Sequence, residues 1–210
     1  MRTQVSIIIA AIFLASCSKT EILPPDYYNL NYTYNDSSEM HPNGIAYQSI
    51  IENGQKLGVV GVSVMIKDQY GIWTGAAGKA DIANNVDLHP HQPMFIASIT
   101  KVFTASLVYK LVEEGKLTLD DYASDWIHGA ILKGLANANH AQIRHLLSHT
   151  SGIPDYYTMA YDMARMNAYH NGYTHEETLE FAKSQDAYNK VGVAYRYCNT
   201  NYLLLGMIIE

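Results

Sequence analysis

The sequence predicts an α+β fold from three observations. Val60, Val62, Val64 and Ile66 alternate with Gly61, Ser63, Met65 and Lys67, the period of two expected of a strand. The turn residues Asp68-Gln69-Tyr70-Gly71 follow, and 72–77 reads as the return strand of a hairpin. From residue 95 the apolar spacing becomes helical, first in FIASITKVFTASLVYKLVEEGKL and then, for the most part, across 116–210. An antiparallel sheet accompanied by a largely helical second part is the α+β arrangement.

The 210 residues suffice for one domain with a real core. With 48% apolar and 16% charged residues, the composition is globular rather than disordered. A formal net charge of −6, without any basic run, argues against a nucleic-acid partner. The 17 tyrosines suit a polar-lipped cleft and an ordinary surface equally.

Residues 1–16 read as an export signal, with an early positive charge and an apolar stretch, 5–15, too short to span a bilayer comfortably. Leu14-Ala15-Ser16-Cys17 resembles a bacterial lipobox. That resemblance implies cleavage before Cys17, a lipid on Cys17 as the membrane anchor, and location in the bacterial cell envelope, at the periplasm or outer membrane. An ordinary signal peptide followed by a chance cysteine is the alternative. Cys198 is then the other cysteine, and no intrachain disulfide is expected.

Residues 17–40 are polar, contain Pro24-Pro25 and read as a tether; 41–210 reads as the folded domain. Its elements are predicted in order. A helix covers 45–56, and the hairpin follows. A loop with Pro90 and Pro93 leads to a buried helix opening at Ser98 and ending near Gly115, a left-handed cap. A further helix covers 143–149 and stops at Gly152.

In the helix after Pro93, Lys101 shares a sector with Ala105, Val108 and Val112, opposite Ser106, Lys110, Glu113 and Glu114. Desolvating an ammonium is costly, so a lysine on the apolar side needs a reason. Ser98 points into the same sector, and a helical side chain leaning toward the N-terminus lets a lysine at i+3 reach that hydroxyl. A lysine in apolar surroundings can act as a base for a serine. An N-cap serine with a snorkelling lysine explains the same letters. The Ser-x-x-Lys spacing also occurs at Ser16-Cys17-Ser18-Lys19, inside the export signal, so context selects Ser98. Tyr197-Cys198-Asn199 supplies a Tyr-x-Asn just before an apolar helix. The same pattern at Tyr27-Tyr28-Asn29 and Tyr169-His170-Asn171 lacks that setting.

With FIASITKVFTASLVYKLVEEGKLTLDD, IRHLLSHTSGIPDY and YRYCNTNYLLLGMIIE in this order, the chain resembles the serine β-lactamase and penicillin-binding-protein superfamily, on its class C β-lactamase and DD-peptidase branch. The resemblance covers 45–210. It implies an antiparallel sheet flanked by helices, with a helical subdomain. It assigns Ser98 as acylated nucleophile, Lys101 as aid to its deprotonation, Tyr197 as shared acid/base and Asn199 as substrate-binding residue. Which of Lys101 and Tyr197 takes the first proton stays open. The Ser98 N–H is expected to serve as one oxyanion donor.

The implied reaction is acyl-enzyme hydrolysis of a D-alanyl peptide, a β-lactam or a small ester, with no metal or cofactor. His145 and His149 are spaced like metal ligands on one helix face, but no H-E-x-x-H is present, and the resemblance makes LLSHTSG a packing and turn element. The stretch 155–173 either lines the cleft or packs its Tyr and Met residues into the core. The family's third motif, Lys- or His-x-Gly on a cleft strand, follows Tyr-x-Asn, whereas His170-Asn171-Gly172 precedes it and is read as a decoy. The later sheet strands are therefore expected to be missing from this chain. A non-catalytic surface lipoprotein that binds cell-wall peptide, or is a remnant, is the alternative function.

Overall fold

The computed structural model describes residues 38–167 and 172–210, and the chain divides into two compact units, Met1–Met94 and Phe95–Glu210. The first unit has one α-helix, α1 (Gly44–Lys56), and three strands among its described residues: β1 (Gly61–Asp68), β2 (Gly71–Asp81) and β3 (Val86–Asp87). The sheet is antiparallel in the order β1-β2-β3, with Val62 opposite Ala77 and Asp68 opposite Gly71. The predicted turn is closed by Asp68, whose Oδ1 accepts from the Tyr70 N–H at 2.8 Å.

The return strand runs to Asp81, beyond the 72–77 expected, because β3 pairs with its end and Lys79 forms an ion pair with Asp87. A two-residue strand has no periodicity to read, so β3 was invisible in the sequence. Helix α1 agrees with the expected 45–56 and packs on β2, where the buried Trp73 ring lies 5.4 Å from Tyr47. Gly75 makes room for that indole, since a Cβ there would stand 2.4 Å from its ring.

The second unit is helical: α2 (Thr100–Glu113), α3 (Ala123–Trp126), α4 (Gly129–Leu132), α5 (Ile143–Leu147), α6 (Met159–Asn167), α7 (His175–Glu180) and α8 (Asn199–Ile209). Helices α2 and α5 pack on α8, around a core that includes Val108, Leu132, Ile143, Leu146, Leu179, Leu204 and Leu205. Gly115 (φ +67°) ends α2 as expected: its N–H bonds to Val112 O at 3.0 Å and that of Lys116 to Leu111 O at 2.9 Å. Those two bonds are the Schellman pair, which needs a left-handed residue at this point.

Three expectations for this unit are corrected. Ser98 does not open α2; it sits in a 3-10 turn, Ala97–Ile99, and α2 starts at Thr100. Nor is α2 a buried helix, because Val108 is its one buried residue while Val102, Phe103 and Leu107 are exposed. Periodicity identified the helix and the half-buried sector of Lys101, Ala105 and Val112, but it does not say which apolar sector meets a partner. Finally, 116–198 is less helical than expected. Its helices are short, and α5 ends at Leu147 because His149 (φ +57°) and Gly152 (φ +65°) turn the chain through left-handed backbone.

Candidate active site

Ser98 is placed by a strained piece of backbone. Ala97 before it has φ +46°, a conformation costing a non-glycine residue about 1–3 kcal/mol, which persists only where surrounding structure fixes it. The turn presents the exposed Ser98 hydroxyl two residues ahead of the Thr100 that starts α2. One helical turn later, Lys101 leans back and donates from Nζ to Ser98 Oγ at 3.2 Å.

Tyr197 and Asn199 arrive from the other end of the unit. Tyr197 immediately precedes Cys198, the N-cap of α8, and Asn199 is the first residue of that helix. The Tyr197 hydroxyl donates to Ser98 Oγ at 2.8 Å, and Lys101 Nζ donates to Asn199 Oδ1 at 2.9 Å. The Lys101 ammonium also lies 5.1 Å from the Tyr197 ring centroid and 5.6 Å from that of Tyr202. The structure thus brings together all four residues that the sequence singled out within the folded domain. Cys17, expected to carry the lipid, lies outside the described residues, as do His170 and Asn171 of the decoy motif.

These contacts set the chemistry. Burial opposes ionisation of the Tyr197 phenol, but its hydrogen bonds to Lys101 and Ser98 and the lysine's charge outweigh it, holding the pKa below the usual tyrosine value. A phenol shifted in that direction, at hydrogen-bond distance from a serine hydroxyl, can take its proton. Asn199 has one carbonyl and two N–H donors; Oδ1 holds Lys101, and Nδ2 donates to Asp155 Oδ2 at 3.0 Å.

Behind the site stands the Ser148-His149-Thr150-Ser151-Gly152 turn. The His149 ring stacks 4.5 Å from Tyr197 and 5.2 Å from Tyr202, and its Nδ1 accepts from the Cys198 N–H at 3.1 Å. Burial, then the charge of Lys101, push the His149 pKa below its ordinary value, which favours the neutral ring. Ser151 donates to the buried Asn201 Oδ1 at 2.6 Å, tying the turn to α8. His145 and His149 do not share a helical face, since α5 stops between them.

None of the described residues of 155–173 lines the groove beside Ser98. Tyr156, Tyr161 and Phe181 pack ring on ring, while Met159, Met163 and Met166 of α6 are exposed. A groove of about 920 Å³ runs along α2 from Ser98 and Lys101 past Tyr197, His149 and Tyr202 to Tyr109. Asp155 was missed in the sequence. Its only signal was an acidic residue straight after the Ser-Gly-Ile-Pro turn, which also describes an ordinary loop.

An α+β chain with a serine hydroxyl held by a lysine and a tyrosine defines a serine-hydrolase-type protein of the β-lactamase and penicillin-binding class. The beta-lactamase family model matches residues 48–210, and the chain belongs to that family. It is 31% identical over 164 residues to protein flp of Staphylococcus aureus, covering 77% of this chain and 32% of that protein. It is also 31% identical over 135 residues to penicillin-binding protein 4* of Bacillus subtilis, covering 63% of this chain and 28% of that protein. Among solved structures it resembles a D-stereospecific amidohydrolase from Streptomyces, at a TM-score of 0.66 and 28% identity, covering 80% of this chain and 49% of that one. The chain thus spans about a third of the length of these curated relatives.

Proposed function

We propose that the chain is a serine hydrolase working through an acyl-enzyme, with D-alanyl peptides, β-lactams or small esters as substrates. One observation carries this reading: Ser98 Oγ accepts hydrogen bonds from both Tyr197 and Lys101. In the reaction Ser98 Oγ bonds to the substrate carbonyl carbon while its proton passes to Tyr197 or Lys101. The bond to the leaving group breaks, and the departing nitrogen or oxygen takes that proton. Water then attacks the Ser98 ester, releasing the acid and restoring the hydroxyl. The Ser98 N–H would be one oxyanion donor, and the second N–H of Asn199 Nδ2 a donor to a substrate carbonyl. The name of the D-stereospecific neighbour supports the D-configured substrate class.

The test is intact-protein mass after treatment with a fluorophosphonate probe. A single adduct that disappears in Ser98→Ala, with both proteins folded by circular dichroism, is expected. A folded chain that takes no adduct overturns the reading in favour of a non-catalytic lipoprotein. We also propose anchoring at the cell envelope through a lipid on Cys17. Incorporation of labelled fatty acid that survives Cys17→Ser would refute it.

A further inference from the structure

We infer that Asp155 is a positioning residue that fixes the amide orientation of Asn199 and, through it, holds the Lys101 ammonium on Ser98. This rests on the acyl-enzyme reading for its consequence in rate, but not for its geometry. Asp155 Oδ2 accepts from both the Asn199 backbone N–H at 3.1 Å and Nδ2 at 3.0 Å, while Oδ1 accepts from the Tyr157 N–H at 3.0 Å. Its own N–H donates to the Tyr188 hydroxyl at 3.1 Å.

The flanking residues clamp this segment to α8. The buried Thr200 hydroxyl donates to Pro154 O at 2.8 Å and accepts from the Tyr156 N–H at 2.9 Å. Asp155 is therefore held from both sides against the first turn of α8.

The two ends of an asparagine amide differ little in shape but are opposite in hydrogen bonding. An ionised carboxylate only accepts, and an ammonium only donates. Between Asp155 and Lys101, Asn199 has one satisfied orientation, Nδ2 toward the carboxylate and Oδ1 toward the lysine. Without Asp155 the amide loses its anchor at Nδ2, and the Asn199 side chain is free to swing away from Lys101. The ammonium then loses its 2.9 Å acceptor and its hold beside Ser98. Asp155 also accepts the first N–H of α8, whose N-cap residue Cys198 makes no side-chain cap, so a stability effect is expected in addition. The experiment must separate the two roles.

The full chain and its Asp155→Ala, Asp155→Asn, Asn199→Ala and Asp155→Ala/Asn199→Ala variants are compared for labelling by a fluorophosphonate without an amide group. A loose site geometry costs up to about 100-fold, so Asp155→Ala is expected to lower the maximal labelling rate by that order, leaving probe affinity unchanged. Asp155→Asn keeps one acceptor and is expected to stay within about tenfold of the parent, the worth of one hydrogen bond. In the Asn199→Ala background, Asp155→Ala is expected to have no further effect on rate while still lowering stability through the lost cap.

A second readout is independent of activity: the ¹⁵Nζ resonance of Lys101, assigned by Lys101→Arg. It is expected to move alike in Asp155→Ala and Asn199→Ala. Asp155→Ala labelling at the parent rate overturns the inference, as do additive rate losses in the double variant. If no protein takes the probe, the proposed reaction fails, and the lysine resonance decides alone: unmoved in Asp155→Ala, it refutes the positioning role; moved, it upholds it.

Discussion

The Tyr197 hydroxyl lies 2.8 Å from Ser98 Oγ, across 99 residues of sequence. Burial alone would raise the phenol's pKa, and the bonds to Lys101 and Ser98 with the lysine's charge reverse that. If the phenolate is the base, labelling of Ser98 falls as pH drops below the Tyr197 pKa, which lies under the ordinary value of about 10. Tyr197→Phe is expected to lower the rate by about 10²–10⁴-fold, the usual worth of a general base, and to remove that limb of the pH profile. The measurement is probe-labelling rate against pH for both proteins. A parental pH profile in Tyr197→Phe would transfer the base role to Lys101.

How much of this was legible in the sequence follows the range of each signal. The hairpin, α1, the cap at Gly115 and the lysine on the half-buried side of α2 are written in patterns a few residues long. Ser98, Lys101, Tyr197 and Asn199 were found because two short motifs were each next to a helix start. Asp155 was not, because its partner is 44 residues away and no local pattern sets an Asp after a Pro apart from a turn residue. Likewise, the exposed sector of α2 with Val102, Phe103 and Leu107 depends on what packs nearby, which helical periodicity does not encode.

Gly152 is expected to tolerate no side chain. Its φ of +65° disfavours any L-residue, and a Cβ would sit 2.1 Å from Asn189 O, a backbone atom held in turn by Asn137 Nδ2 at 2.8 Å. Left-handed backbone alone costs about 1–2 kcal/mol, and the clash adds to it. Urea unfolding of Gly152→Ala should show a loss of at least about 2 kcal/mol; a smaller loss would mean the turn relaxes freely.

The Ser151–Asn201 bond is one buried tie between the turn behind the site and α8. Asn201→Leu removes the acceptor of the Ser151 hydroxyl inside the core, leaving a donor without its 2.6 Å partner. A buried unsatisfied group costs about 1–3 kcal/mol, so a midpoint shift of that size in chemical denaturation is expected. Ser151→Ala in turn strands the Ile153 N–H, which donates to Ser151 Oγ at 3.1 Å, so a loss of similar size is expected there. A loss below about 1 kcal/mol in Asn201→Leu would show that the Ser151 hydroxyl finds another acceptor.

His145 and His149 give the stability of the chain a defined pH dependence. Burial first, then the charges of Arg144 and Lys101 respectively, hold both below the unfolded histidine value of about 6.5. A histidine with a lowered folded pKa binds more protons when unfolded. Stability is therefore full above about pH 6.5 and falls as the pH drops from there to the folded pKa values, levelling off below them. Asp68, Asp87 and Asp121 have lowered pKa values too, and they withdraw stability only below their unfolded value of about 4. Unfolding free energies at pH 7.5 and 5 thus isolate the histidines. His149→Gln is expected to flatten the slope in that interval, and an unchanged slope would show that His149 does not carry it.

Cys198 reports on whether α8 stays docked. Its thiol is buried and donates to Ile153 O at 3.3 Å, and burial, with the nearby Asp155 charge, pushes its pKa up to about 11. The thiolate is the reactive form, so at pH 8 the native residue offers almost none, and no path for a reagent. Iodoacetamide should leave Cys198 unmodified in the native chain and alkylate it at the rate of unfolding, read by the mass of the peptide carrying it. Because Cys198 is held between the Tyr197 ring behind Ser98 and the Asn199 amide on Lys101, opening there would dismantle the site as well. Loss of probe labelling and gain of Cys198 alkylation should therefore share one urea midpoint; alkylation well below that midpoint would mean that α8 opens locally while Ser98 remains activated.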